Sequence, residues 1–279
     1  MQDDESKQIG INRQVSLAVA GNLSRCSVGF FDVESPTVDL ASGVLISIGN
    51  RLFVATAGHA VPSRPSGRIS FIGQNEKRLV ESKEAVIAHE SYEWPDVGFL
   101  EIAPDVASRL GKEPIGLERI SPRGPGHFDR RCFVFGYPTD SIKVQHKKER
   151  FDLGGISYSH LPMRPEEWPE KPRPPAHEEV DIFLPYDRDE EMFYYEENQG
   201  RNELGHPEGM SGGGLWQGVD REGKLWTPED VGLFGIQSGY RAEDKYLRAC
   251  QINTWLRLLH SEQLDLRATL EEAFPSLQF

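Results

Sequence analysis

Three short segments carry residue types that together could attack an acyl carbon. In the first, HPEGMSGGGLW at residues 206–216, Ser211 follows Gly209 and Met210 and is trailed by Gly212, Gly213 and Gly214. Glycines let a backbone turn sharply and approach a bound chain closely. A nucleophilic hydroxyl needs that presentation, along with nearby N–H groups aimed at a developing oxyanion. The N–H groups of Gly209 and Ser211 are the candidates for that role. Taken alone, a glycine-flanked serine more often marks a plain turn.

The second segment, LFVATAGHAV, places His59 behind an apolar run that closes on Ala55, Thr56, Ala57 and Gly58, where small residues leave room for an imidazole. A general base must reach the hydroxyl proton and have its tautomer held by a third group. His206 competes for the role because it lies close to Ser211 in sequence, but a position five residues away in a glycine loop suits a structural or substrate-facing part better. The third segment, SYEWPDVGFLEI, sets Asp96 between Pro95 and an apolar run from Val97 to Ile102. A carboxylate at a strand edge is costly to bury alone, whereas one bonded to an imidazole orients the ring and stabilises the imidazolium. An Asp in a simple turn is the competing reading.

Positioning these groups falls to short strands. VSLAVAG, CSVGFFDV, SGVLISIG, RLFVATA, RISFIG, KEAVIAH and VGFLEI are brief apolar segments bounded by Gly, Pro, Asn, Asp or Ser. Their lengths suit strands and fall short of a buried helix. Gly49, Asn50 and Arg51 between two of them predict a hairpin. After a linker-like stretch, roughly 104–127, a second series follows: CFVFGY, FDLGGISYS, VDIFLPY, MFYY, GGGLWQGV, LFGIQSGY and YLRACQI. Two such runs without regular intervening helices predict an all-β protein, either two antiparallel barrels or one large sandwich. Ile252, Trp255, Leu256, Leu258 and Leu259 recur at a helical period and predict a C-terminal α-helix at about 251–262. The loop 162–175 holds six prolines, which forbids a central strand and predicts an extended surface segment.

The order His59, Asp96, Ser211 and the motifs TAGH and GMSGG resemble the trypsin/chymotrypsin-like serine peptidase family, especially its bacterial members. The resemblance spans roughly residues 15–262. It implies two antiparallel six-stranded β-barrels, the first over residues 12–118 with His59 and Asp96, the second over 119–279 with Ser211; residues 1–11, by their polar character, are expected to form a disordered N-terminus. The implied activity is endopeptidase hydrolysis through an acyl-enzyme, with a catalytic Ser-His-Asp triad of His59, Asp96 and Ser211, an oxyanion hole at Gly209 and Ser211, and no metal or cofactor. A catalytically silent peptide-binding module is the alternative. GIQSGY matches the strand lining the family's specificity pocket, so Gln237, Ser238 and Gly239 are expected to bind substrate, with Gly205 near the pocket base. Gly205 supplies no charge there, which removes the usual ground for cleavage after Lys or Arg. Met210 stands where many secreted members carry the Asp that pairs with a new N-terminus, so activation by that route is not expected.

The remaining composition narrows the partners. The 44 acidic and 31 basic residues give a formal net charge of −13, unsuited to broad attraction by a phosphate backbone, and no nucleic-acid partner is expected. An acidic start, MQDDESKQIG, and the lack of a long apolar stretch predict neither a secretory leader nor a membrane partner. Cys26, Cys132 and Cys250 lie far apart among apolar neighbours and read as buried reduced thiols, which predicts a cytoplasmic setting. The expected partners are a protein or peptide substrate and a regulatory protein that restrains an intracellular peptidase.

Overall fold

The computed structural model describes residues 2–32, 40–61, 69–72, 79–82, 95–122, 128–145, 150–187, 194–196, 206–219 and 227–279. The chain opens on helix α1 (Gln2–Cys26), a correction to the strand expected at VSLAVAG; the helix also begins within the stretch expected to fray. Val15, Leu17 and Val19 satisfy a strand's alternation, but Val15, Val19 and Leu23 equally follow a helix's four-residue spacing. The helical period wins, since Val19, Ala20, Leu23 and Cys26 are buried while Leu17 is exposed.

Six strands make the first sheet: β1 (Ser27–Asp32), β2 (Ala41–Ile48), β3 (Arg51–Thr56), β4 (Ile69–Ile72), β5 (Leu79–Ser82) and β6 (Gly98–Ile102). Their order is β5-β4-β1-β2-β3-β6. The β2–β3 hairpin is tighter than the sequence suggested: Ile48 pairs with Arg51, so only Gly49 and Asn50 form the turn, with Gly49 at φ 61°. The KEAVIAH segment lies outside the described residues.

A helix α2 (Pro104–Leu110), starting on a proline and closed by Gly111 at φ 63°, occupies part of the expected linker. The connection then crosses between the sheets. Ile115 bridges to Ile46 and Ile120 to Leu233.

The second sheet has seven strands, one in each segment of the second series and one more than the six-stranded barrel that the resemblance implies: β7 (Cys132–Gly136), β10 (Ile156–His160), β11 (Asp181–Pro185), β12 (Tyr194–Glu196), β13 (Gly214–Gly218), β14 (Val231–Arg241) and β15 (Tyr246–Gln251). They run β11-β15-β14-β13-β7-β10-β12. A separate ribbon pairs β8 (Ile142–Gln145) with β9 (Arg150–Leu153). Two antiparallel sheets of six and seven strands, with helices at both ends, are consistent with the expected all-β pair of barrels without being identical to two six-stranded ones. The predicted C-terminal helix is α3 (Ile252–Glu262), and a further short helix, α4 (Arg267–Ala273), follows it.

Strand alternation explains how the two sheets join. Val28, Leu45, Val54 and Leu100 point to a core inside the first sheet, closed by Val106 and Leu110 of α2. Val134, Tyr158, Leu184 and Leu215 build a second core inside the other sheet. The opposite faces of both sheets, including Val44, Phe53, Phe99, Phe135, Trp216 and Ile236, meet in a third core with α1 and α3. Central strands are therefore buried on both faces, which makes them near-continuous apolar runs.

The proline-rich segment is less extended than expected: it makes a 3-10 turn at Pro165–Glu167 and lies against β11, where the Met163 N–H donates to the Phe183 carbonyl at 2.8 Å and the Trp168 ring meets that of Phe183. Arg248, 4% exposed, pairs with Asp181 at 2.7 Å and donates to the carbonyls of Pro174 and Pro175. Burial is the main influence on the Asp181 carboxyl and raises its pKa, with Arg248 opposing it. All three cysteines are free and buried, and burial pushes the Cys26 thiol up to about 11. No helix among the described residues is long and apolar enough to cross a membrane.

Candidate active site

β3 and β6 run antiparallel with Thr56 opposite Gly98. The chain leaving β3 and the chain entering β6 are therefore neighbours, and this register brings His59 and Asp96 together. After Thr56 the backbone makes a single 3-10 turn, Gly58–Ala60, that swings the imidazole back towards the start of β6. Asp96 holds it twice. One carboxylate oxygen accepts the His59 backbone N–H at 2.9 Å, and the other lies 2.7 Å from ring Nδ1.

The side chain of Asp96 is 20% exposed and that of His59 51%. The carboxylate is shielded while the ring faces solvent. Hydrogen bonding to Asp96 raises the His59 pKa above the ordinary imidazole value, with burial pulling the other way. An Nδ1–H directed at the carboxylate leaves Nε2 as the proton acceptor. Behind the pair, the Cys250 thiol lies 3.8 Å from the Asp96 carbonyl, and the Trp255 indole of α3 donates to the Gly98 carbonyl at 3.0 Å.

Ser211 lies, half-buried, in the loop before β13. Two left-handed glycines shape that loop, Gly209 at φ 92° and Gly212 at φ 89°, conformations that side-chain-bearing residues rarely adopt. Gly212 also has no room for a side chain, since a Cβ would come within 2.0 Å of the Ser42 carbonyl oxygen and of Thr56 Oγ1.

Neighbouring segments grip the loop's carbonyls. Glu208 accepts from the Thr139 N–H at 2.7 Å, Gly209 from Ser42 Oγ at 2.8 Å, Ser211 from the Ser42 N–H at 2.8 Å and Gly213 from the Gln237 N–H at 2.8 Å. Inside the loop and across to β14, the N–H groups of Met210, Gly212 and Gly213 bond to Pro207, Gln237 and Met210. The Gly209 and Ser211 N–H groups have no backbone acceptor among the described residues.

Ser42 and Thr56 are the residues that sequence reasoning missed. Thr56 Oγ1 donates to the Ser42 carbonyl at 2.8 Å, so the last residue of the strand leading to His59 is bonded to the residue that grips the Ser211 loop. The only sequence signal is a polar residue embedded in each apolar run. The structure thus joins His59 to Asp96 and fastens the Ser211 loop to the same hairpin. A hydrogen bond between the Ser211 hydroxyl and His59 is not formed among the described residues.

Gln237 and Ser238 are buried, and Gln237 is bonded to the loop as above. The β14–β15 register shifts between Gln237 and Gly239, leaving Ser238 as the extra residue of a bulge. A Cβ on Gly239 would meet nothing within 4 Å. His206 rests edge-on against Tyr240 with ring centroids 5.6 Å apart and accepts the Glu208 N–H, away from the His59–Asp96 pair. Gly205 lies outside the described residues. No group of three or more His, Cys, Asp or Glu suited to a metal occurs among the described residues.

No protein-family model matches the chain, and no curated protein matches it. Among solved structures it is similar to a thermostable serine protease from an extremophilic microorganism, at 15% identity over 82% of this chain and 91% of that one, with a TM-score of 0.47. It is also similar to the protease Anisep from Arthrobacter nicotinovorans, at 16% identity over 81% and 90%, TM-score 0.47. A third is the serine endoprotease from Yersinia pestis, at 15% identity over 89% and 65%, TM-score 0.47.

Proposed function

We propose that this chain is a serine endopeptidase in which Ser211 is the nucleophile, His59 the general acid–base and Asp96 the group that orients the ring. The supporting observation is the doubly bonded His59–Asp96 pair, beside the open end of the β2–β3 hairpin that also clamps the Ser211 loop through Ser42 and Thr56. Bound substrate would complete the contact between hydroxyl and imidazole, because catalytic hydrogen bonds commonly tighten only in the Michaelis complex.

In this reading, Ser211 Oγ attacks the scissile carbonyl carbon while His59 Nε2 takes its proton. The carbonyl oxygen becomes an oxyanion received by the Gly209 and Ser211 N–H groups. His59 then gives the proton to the leaving amine as the C–N bond breaks and the acyl-enzyme forms. Water, deprotonated by His59, attacks the ester, and collapse returns the proton to Ser211 Oγ. The bulged Ser238 and the open Gly239 would offer backbone groups to an extended peptide added beside β14. The substrate is accordingly protein or peptide. The three buried free thiols support a cytoplasmic setting.

Labelling by a fluorophosphonate tests the assignment. The native protein is expected to acquire one label, and Ser211→Ala none. A native protein that binds peptides yet never labels would make it a catalytically silent peptide-binding module.

A further inference from the structure

Lys112 is a cation placed in the interior, 8% exposed, in the connection between the two sheets. Removing an ammonium from water is unfavourable unless partners replace its hydration. Its Nζ donates to the Ser24 carbonyl in the last turn of α1 at 2.7 Å and to Tyr137 Oη at 3.0 Å. Glu113 next to it donates its N–H to the Arg25 carbonyl at 2.9 Å. Two carbonyls that a helix end leaves without intrahelical donors are thereby satisfied, and a positive charge sits where the helix dipole favours one.

Tyr137 extends the chain of bonds in two directions. Its hydroxyl donates to the Ser27 carbonyl at 3.2 Å, at the start of β1. Its backbone N–H donates to Ser42 Oγ at 2.8 Å, and that hydroxyl in turn donates to the Gly209 carbonyl. The Tyr137 carbonyl also lies 2.8 Å from where a Cβ on Gly209 would be, so residue 137 is the floor beneath the loop. An unbroken buried path therefore runs from α1 through Lys112, Tyr137 and Ser42 to the residues flanking Ser211.

We propose that Lys112, Tyr137 and Ser42 are positioning residues, a relay by which the C-terminal turn of α1 fixes the conformation of the Ser211 loop. Its effect on turnover rests on the peptidase reading; its effect on the loop does not. The relay supplies from inside the fold the ordering that an ion pair to Met210 cannot.

The test compares hydrogen exchange and kinetics in Lys112→Met with the native protein and with Lys112→Arg, which keeps a cation and its donors. Exchange at the Met210, Gly212 and Gly213 amides is expected to quicken roughly tenfold in Lys112→Met, with the β15 amides unchanged. Turnover of a peptide substrate is expected to show kcat reduced roughly tenfold at an unaltered KM, partly restored in Lys112→Arg. Tyr137→Phe, which removes a single oxygen, reads the same quantities if Lys112→Met does not fold. A lower Tm with loop exchange and kcat both unmoved would overturn the relay and leave Lys112 a packing residue. Faster loop exchange in a protein whose native form does not label with fluorophosphonate would uphold the relay and sink the peptidase reading.

Discussion

His59 hangs at the exposed end of a hairpin from one carboxylate, whereas Ser211 sits in a loop whose carbonyls at 208, 209, 211 and 213 are each bonded to a neighbouring segment. On the first side the geometry depends on a side-chain pair that can change protonation. On the second it depends on backbone groups with fixed hydrogen-bonding capacity, and on glycines that permit the fit. One region is open to tuning by pH, and the other is preorganised at the level of φ and ψ. A preorganised donor set incurs no reorganisation cost at the moment of reaction.

Breaking the titratable side is expected to have the largest effect. Asp96→Asn keeps an oxygen for the His59 N–H but presents an amide to Nδ1, which favours the tautomer with its proton on Nε2. A fall in kcat of about 10⁴-fold is expected, the scale seen when a triad carboxylate becomes an amide; steady-state kinetics with an unchanged Tm would check it. Gly212→Ala attacks the preorganised side. Its methyl group would collide with the Ser42 carbonyl and Thr56 Oγ1 at an unfavourable φ, so a stability loss of about 2–3 kcal/mol and about a 100-fold slower acylation are expected from thermal denaturation and labelling rates.

The smallest expected effect sharpens the contrast. Because the bond to Asp96 raises the His59 pKa, the neutral base is available only at higher pH, and the acylation rate should rise with a midpoint above about 6.5. The stability that this pair adds follows the opposite course. It is fully present below the unfolded imidazole pKa and is lost as pH rises through the folded one. In Gly212→Ala the midpoint should stay put, since that loop holds no group of the titrating pair. A shift there would show that the two sides are coupled through Thr56.

The existence of the hairpin and the placing of Asp96 before an apolar strand were legible because both follow from local rules: turn residues between two short apolar strands, and a carboxylate that demands a partner when shielded; the turn's exact length was not, since Arg51 was read into it and instead pairs with Ile48. The helix α1 was hidden because Val15, Val19 and Leu23 fit one period while Val15, Leu17 and Val19 fit another; only packing against both sheets distinguishes them. Helix α2 was obscured by its proline, which reads as a loop marker unless it is placed at the first helical position. The seven strands of the second sheet were legible as seven short apolar segments, whereas their order in the sheet and the roles of Ser42, Tyr137 and Lys112 depend on contacts between residues far apart in the chain. Short polar side chains inside apolar runs give no sign of which distant carbonyl they will meet.

The indole of Trp255 caps the strand that follows Asp96 from 157 residues further along the chain. During synthesis on a ribosome, the first sheet is made long before that cap exists, and the Gly98 carbonyl lacks the indole's hydrogen bond until α3 has emerged. His59 and Asp96 therefore lack that backing until α3 has been made, after the Ser211 loop is already in the chain. A nascent chain at that stage would carry His59, Asp96 and Ser211 yet lack the packing that lowers the local dielectric and strengthens a bond such as that between His59 and Asp96.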